Sequence, residues 1–181
     1  MKKMFYSALV LSTVLMGACS PKEENQDPSS EIGTPVNTSV TLESISTSIK
    51  EAMVAYWDEE SIQLEDNQIP GWQELSFDDE LAEGMYPFLA DFNGFILTPL
   101  MNVKSDLIAV AKVENGNKEQ IKTAFEELHA NQEGTWSQYL PAQYEKVKNA
   151  QVIASGDYMM YVVFDDVSPI EDAFLNVVDG E

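Results

Sequence analysis

The single cysteine, Cys19, constrains this chain more than any other residue. One cysteine cannot form an internal disulfide, so the folded part must rest on a hydrophobic core. Cys19 also closes a three-part N-terminus. Lys2 and Lys3 lead into an almost unbroken apolar run from Phe5 to Met16, followed by Gly17-Ala18-Cys19. Such a run, about a dozen residues, suits a signal-peptide core and falls short of the ~20 helical residues that span a bilayer.

Leu15-Met16-Gly17-Ala18-Cys19 resembles a bacterial lipobox, with Met16 where Leu or Val is usual. Small residues at Gly17 and Ala18 fit a peptidase pocket, and the Cys19 thiol can carry a diacylglyceryl group. The expected organisation is a signal peptide over 1–18, a lipidated flexible tether over 19–39 and a single domain over 40–181. Residues 20–39, SPKEENQDPSSEIGTPVNTS, are nearly free of apolar side chains. They cannot bury enough surface to offset their ordering entropy. About 20 flexible residues reach on the order of 25 Å. The expected location is the outer face of a cell membrane, with lipid on Cys19 as the membrane contact.

The formal charge is −21, and all ten basic residues are lysine. Loss of Lys2 and Lys3 with the signal makes the mature chain more negative still. Nucleic acid binding needs cationic neutralisation of phosphate, so it is not expected. Lying flat on anionic lipid is opposed for the same reason. Without arginine, bidentate capture of phosphate or carboxylate is also lost. The acidity serves solubility, or attracts cations or a basic partner.

Apolar spacing orders the elements. Ile45, Ile49, Met53 and Trp57 mark a helix over 41–57 with Thr41 at its N-cap. Residues 58–73 read as a polar segment with a Pro70-Gly71 turn. A short helix is expected from Ser76, whose spacing to Asp79 has the capping-box form. Strands are expected over 95–101 and 106–113, with Pro99 placing the first at an edge or bulge. A long helix follows from Asn117, capped with Gln120, through Ile121, Ala124, Phe125, Leu128 and Gln132. Gly134 weakens it locally. Pro141 opens a further helix to Lys148. A hairpin over 151–154 and 158–164 precedes a last helix, in which Ser168 is the cap, Pro169 the first-turn proline and Glu171 the return partner. The order predicts an α+β fold: a four-stranded, mainly antiparallel sheet with helices packed on one face.

Tyr139-Leu140-Pro141-Ala142-Gln143-Tyr144, then Val147, Asn149-Ala150, Val152, Gly156 and Tyr158, carry a resemblance to a domain-of-unknown-function family, DUF4358. It extends more weakly over 81–86, 107–112 and Phe174. His129-Ala130-Asn131 departs from the family pattern, which is basic there. The resemblance implies a surface-lipoprotein location and fold kinship, and no activity.

Catalytic signals are sparse. There is no Gly-x-Ser-x-Gly elbow and no Ser-x-x-Lys, and His129 is the sole histidine. On a helix with no metal-spaced partner, His129 reads as an ordinary packed or surface residue. The acidic clusters 58–60, 78–80 and 165–166 match no calcium loop. They read as surface charge, with Asp78 and Asp79 placed favourably at a helix start. No cofactor is implied. Trp136, Tyr139 and Tyr144 form the candidate interaction face, weighed against a role as core residues. The expected function is a surface-anchored, non-catalytic binding or accessory module with an envelope protein as partner. The alternatives are a carboxylate-dependent enzyme acting on envelope polysaccharide and a cation- or small-ligand-binding lipoprotein. Replacing Cys19 with Ala is expected to move the protein from the detergent phase to the aqueous phase in phase partitioning. A variant that still follows the membrane fraction overturns the anchor.

Overall fold

The computed structural model describes residues 40–58 and 62–180. Cys19, the signal over 1–18, the tether over 19–39 and most of the acidic group 58–60 lie outside them. No helix among the described residues is long and apolar enough to cross a membrane.

The elements run α1 (Leu42–Trp57), β1 (Trp72–Ser76), α2 (Glu80–Met85), a 3₁₀ turn (Pro87–Leu89), β2 (Gly94–Pro99), β3 (Leu107–Lys112), α3 (Lys118–Trp136), α4 (Pro141–Lys148), β4 (Gln151–Ser155), β5 (Tyr158–Val163) and α5 (Ser168–Asp179). The strands form one sheet in the order β1-β2-β3-β5-β4, and every neighbouring pair is antiparallel. The α+β class holds. The sheet has five strands rather than four, and helices cover both faces rather than one.

Strand side chains alternate between faces, so each face is read from one parity of residues. Leu107, Ala109, Ala111, Met159, Tyr161 and Val163 meet α3, with Ile121, Phe125 and Leu128 opposite them. Ile108, Val110, Met160 and Val162 meet α1 and α5 through Ile45, Ile49, Met53, Ile170 and Phe174. A strand buried on both faces has no polar positions. This explains why LIAVAK and YMMYVV read as apolar runs, and why one-sided packing was a poor inference from them. Across the central pair, Ala109 lies opposite Tyr161 and Ala111 opposite Met159. The small residues make room under α3, where the Phe125 and Tyr161 rings sit 6.1 Å apart.

The missed strand, β1, has little apolar character. Its register pairs Trp72 with Pro99 and Ser76 with Phe95. Glu74 accepts a hydrogen bond from Ser46 at 2.9 Å and pairs with the buried Lys50, whose ammonium also donates to the Asn67 carbonyl. Polar contacts to α1 satisfy this edge, and hydropathy does not register them. Ser76 therefore ends a strand and donates to Asp78, while Asp79 caps α2 by accepting from the Leu81 N–H at 2.8 Å.

Other starts and ends differ in detail. Thr41 and Ser44 form the reciprocal cap of α1. Pro99 is the last residue of an inner strand, beyond its pairing with β3, so its missing N–H costs no ladder bond there. Asn117 accepts from the Glu114 N–H rather than capping α3. Val167, not Ser168, stands at the α5 cap position, and Asp166 accepts from the Ser168 N–H at 3.0 Å. Gly134 does not break α3.

Gly94 opens β2 where the Phe77 ring and the β3 backbone approach it closely. An added Cβ there would lie 2.2 Å from the Val110 carbonyl oxygen and 2.3 Å from the Phe77 ring. Backbone cannot yield cheaply, so Gly94→Ala is expected to destabilise by about 2–3 kcal/mol or more in urea unfolding. An unchanged midpoint would show that β2 can shift.

Candidate functional site

A cleft of about 580 Å³ opens where β2 ends and β3 begins. Thr98, Asn102 and Lys104 form one wall, Met85 and Tyr86 a second, and Asn131, Thr135, Trp136, Gln138 and Tyr139 the third. Its size lies within the roughly 300–1,000 Å³ range of small-molecule sites.

The floor is a buried polar chain. The Trp136 indole N–H donates to Gln132 Oε1 at 3.1 Å, and Gln132 Nε2 approaches the Tyr86 hydroxyl at 3.5 Å. Trp136 is 5% exposed and Gln132 6%. Burial raises the Tyr86 pKa above that of an ordinary phenol, and the Gln132 bond offsets only part of this. The indole is thus held in one orientation by groups with few alternatives. Tyr139 lies above it, 61% exposed, with ring centroids 6.0 Å apart and planes tilted by 50°.

The structure therefore divides the predicted aromatic group. Trp136 belongs to the core and to the cleft floor. Tyr139 supplies the exposed ring. Tyr144 is not among the cleft lining; it packs partly buried on the core, with the Lys148 ammonium 5.1 Å over its ring.

α4 fixes the wall that carries Lys104. The Ser105 N–H donates to Gln143 Oε1 at 2.7 Å, and the Ser105 hydroxyl lies 3.0 Å from the same oxygen. One turn further on, Lys146 bonds the buried Asp106 and the exposed Asp165, each at 2.7 Å. Gln143 thus has a structural role that its sequence position alone did not reveal. Burial pushes the Asp106 carboxyl up, and Lys146 pulls it back only in part. Burial pushes the Lys146 ammonium down, but its two carboxylate partners outweigh that and raise its pKa.

Across the β2–β3 loop lies a second groove of about 470 Å³, bordered by Trp57, Trp72, Leu100, Met101 and Val103. Leu100 is 60% exposed and Met101 68%. The run Leu100-Met101, with Val103 close after it, was the available sequence signal for this patch. Leu100 and Met101 were expected to end the first strand, which stops instead at Pro99. His129 sits outside both clefts, with Nδ1 3.2 Å from the buried Tyr161 hydroxyl. No group of three His, Cys, Asp or Glu residues is poised for a metal among the described residues.

Lys146→Met leaves the buried Asp106 without its ion-pair partner, at an expected cost of about 3–5 kcal/mol at neutral pH. A carboxyl whose folded pKa is raised loses stability as pH rises from its unfolded value, ~3.9, through its folded value. The deficit relative to the parent should therefore shrink on acidification. Urea unfolding at about pH 7 and pH 5 measures this, and a pH-independent deficit contradicts it.

Comparison with known proteins adds one finding. No curated protein and no solved structure matches the chain. The family model described as "Domain of unknown function (DUF4358)" matches residues 74–164, from within β1 to just past β5, and so takes in all three cleft walls and the α4 contacts to Ser105 and Asp106. The chain belongs to the DUF4358 family.

Proposed function

We propose that this protein is a lipid-anchored binding module of the cell envelope that holds its partner in the Trp136–Tyr139 cleft without transforming it. The observation that carries this reading is the cleft itself: an exposed ring, Tyr139, over an indole whose N–H is already committed to Gln132. A ring supported from beneath presents area at low entropic cost, which is what an anchoring residue needs.

Catalysis by a carboxylate pair fits this cleft less well. Asp106 is the one carboxylate in its lining, and Lys146 holds it. Hydrolysis of a glycosidic bond needs a second carboxyl across the substrate.

The geometry also suits a tether. The domain enters at Val40, whose carbonyl accepts from the Tyr158 hydroxyl at 2.8 Å. Tyr158 pairs with Lys112 at the far end of β3, whereas the cleft adjoins Leu107 at its near end. These two ends are about 17 Å apart at strand rise. Chain preceding Val40 therefore enters the described domain near the end of β3 remote from the cleft.

Crosslinking on intact cells, read by mass spectrometry, tests the proposal. A defined envelope component should be captured by the parent and lost with Tyr139→Ala. At 61% exposure that substitution should change stability by no more than about 0.5 kcal/mol. Capture that survives Tyr139→Ala, or that maps to Leu100 and Met101, moves the site away from this cleft.

A further inference from the structure

We infer that the cleft takes an uncharged saccharide, a short stretch of neutral glycan. The inference rests on the binding-module reading and adds the class of ligand.

Charge excludes most other classes. The protein carries a formal −21, so an anion is repelled at long range. Locally it would find Lys104 alone, because the remaining charged member of the lining, Asp106, is paired with Lys146. A cation is drawn by the overall field but meets no free carboxylate in the lining. The cleft is close to neutral within a strongly acidic protein, and it suits a neutral ligand.

Polarity narrows the class further. Asn102, Asn131 and Gln138 bring side-chain amides to the cleft, and Thr98 and Thr135 bring hydroxyls. An amide offers a carbonyl acceptor and two N–H donors, which matches a ligand hydroxyl that both donates and accepts. A wholly apolar ligand would strip water from these groups and return no hydrogen bonds, at a cost of about 1–3 kcal/mol for each group. A sugar ring presents hydroxyls at its rim and C–H bonds on its faces. The rim meets the amides, and a face rests on Tyr139, with Met85 on the opposite wall.

Peptide is disfavoured by sheet topology. Extended peptides add to exposed sheet edges. β2 and β3, which border the cleft, are inner strands with neighbours on both sides.

The chain's tryptophans make the test internally controlled. Trp136 lies in the cleft, while Trp57 and Trp72 stand together at 5.7 Å beside the other groove. The purified full-length chain, labelled with ¹⁵N in its tryptophan indoles, would be titrated with maltotriose, cellotriose and chitotriose, and separately with inorganic phosphate and a neutral tripeptide. The expected result is a saturable shift of the Trp136 indole signal with at least one of the trisaccharides, at an affinity of ~1 mM or tighter. Trp57 and Trp72 should stay still. Tyr139→Ala and Asn131→Ala should each weaken binding by about tenfold while leaving the three-signal spectrum folded. Movement of Trp57 and Trp72 instead, a response only to phosphate or peptide, or silence with every trisaccharide overturns the inference. Tyr139-dependent capture on cells remains a separate readout, so silence here with capture there rejects the ligand class alone and leaves the binding module standing.

Discussion

The central β3–β5 pair is buried on both faces, and the rest of the domain is arranged around that burial. Leu107 through Ala111 and Met159 through Val163 expose almost nothing. Two apolar faces need two covering layers. α3 and α4 close one, and α1 and α5 close the other. The outer strands, β1 and β4, are short and tolerate polar residues because each has a single neighbour in the sheet. The same arrangement places Ala109 and Ala111 under α3, which lets large side chains from α3 seat against the sheet.

The cleft follows from how the layers end. α3 reaches the point where β2 turns into β3, and its last turns set the buried Gln132 and Trp136 as the floor of the cleft. That space would be a weak, adaptable corner without α4. Gln143 and Lys146 lie three residues apart on α4 and share one side of it. They hold Ser105 and Asp106, and with them the base of the β2–β3 loop. The family motif around residues 139–144 therefore does two things at once. Tyr139 faces solvent at the mouth of the cleft, and Gln143 fixes its wall.

Much of the fold was legible in the chain. Eight of the elements carry strong periodicity or a proline start and form close to their expected bounds, while α2 begins at Glu80 rather than Ser76. β1 was not legible, because its stabilising contacts come from Ser46 and Lys50, more than 20 residues upstream. Helix caps were read with a register error at Ser76, where Asp79 caps α2 instead, and at Ser168, where Val167 takes the cap position and Asp166 accepts from the Ser168 N–H. Aspartate and serine serve as caps at similar energy, so local pattern alone does not separate Ser76 from Asp79. Trp136 was recognised as a residue of consequence. Its division of labour with Tyr139 and Tyr144 depends on which way α3 faces the sheet.

Sequence by itself determined that this domain is α+β and that the chain is strongly acidic. Hydropathy and charge are properties of residues and short segments, so they survive without coordinates. Tertiary structure alone decided that helices cover both faces, that Tyr144 packs apart from the other two aromatics, and that amides from Asn102, Asn131 and Gln138 meet in one neutral cleft. Those residues lie on separate elements. Only the closure of the sheet and the packing of α3 against it bring them to a common space.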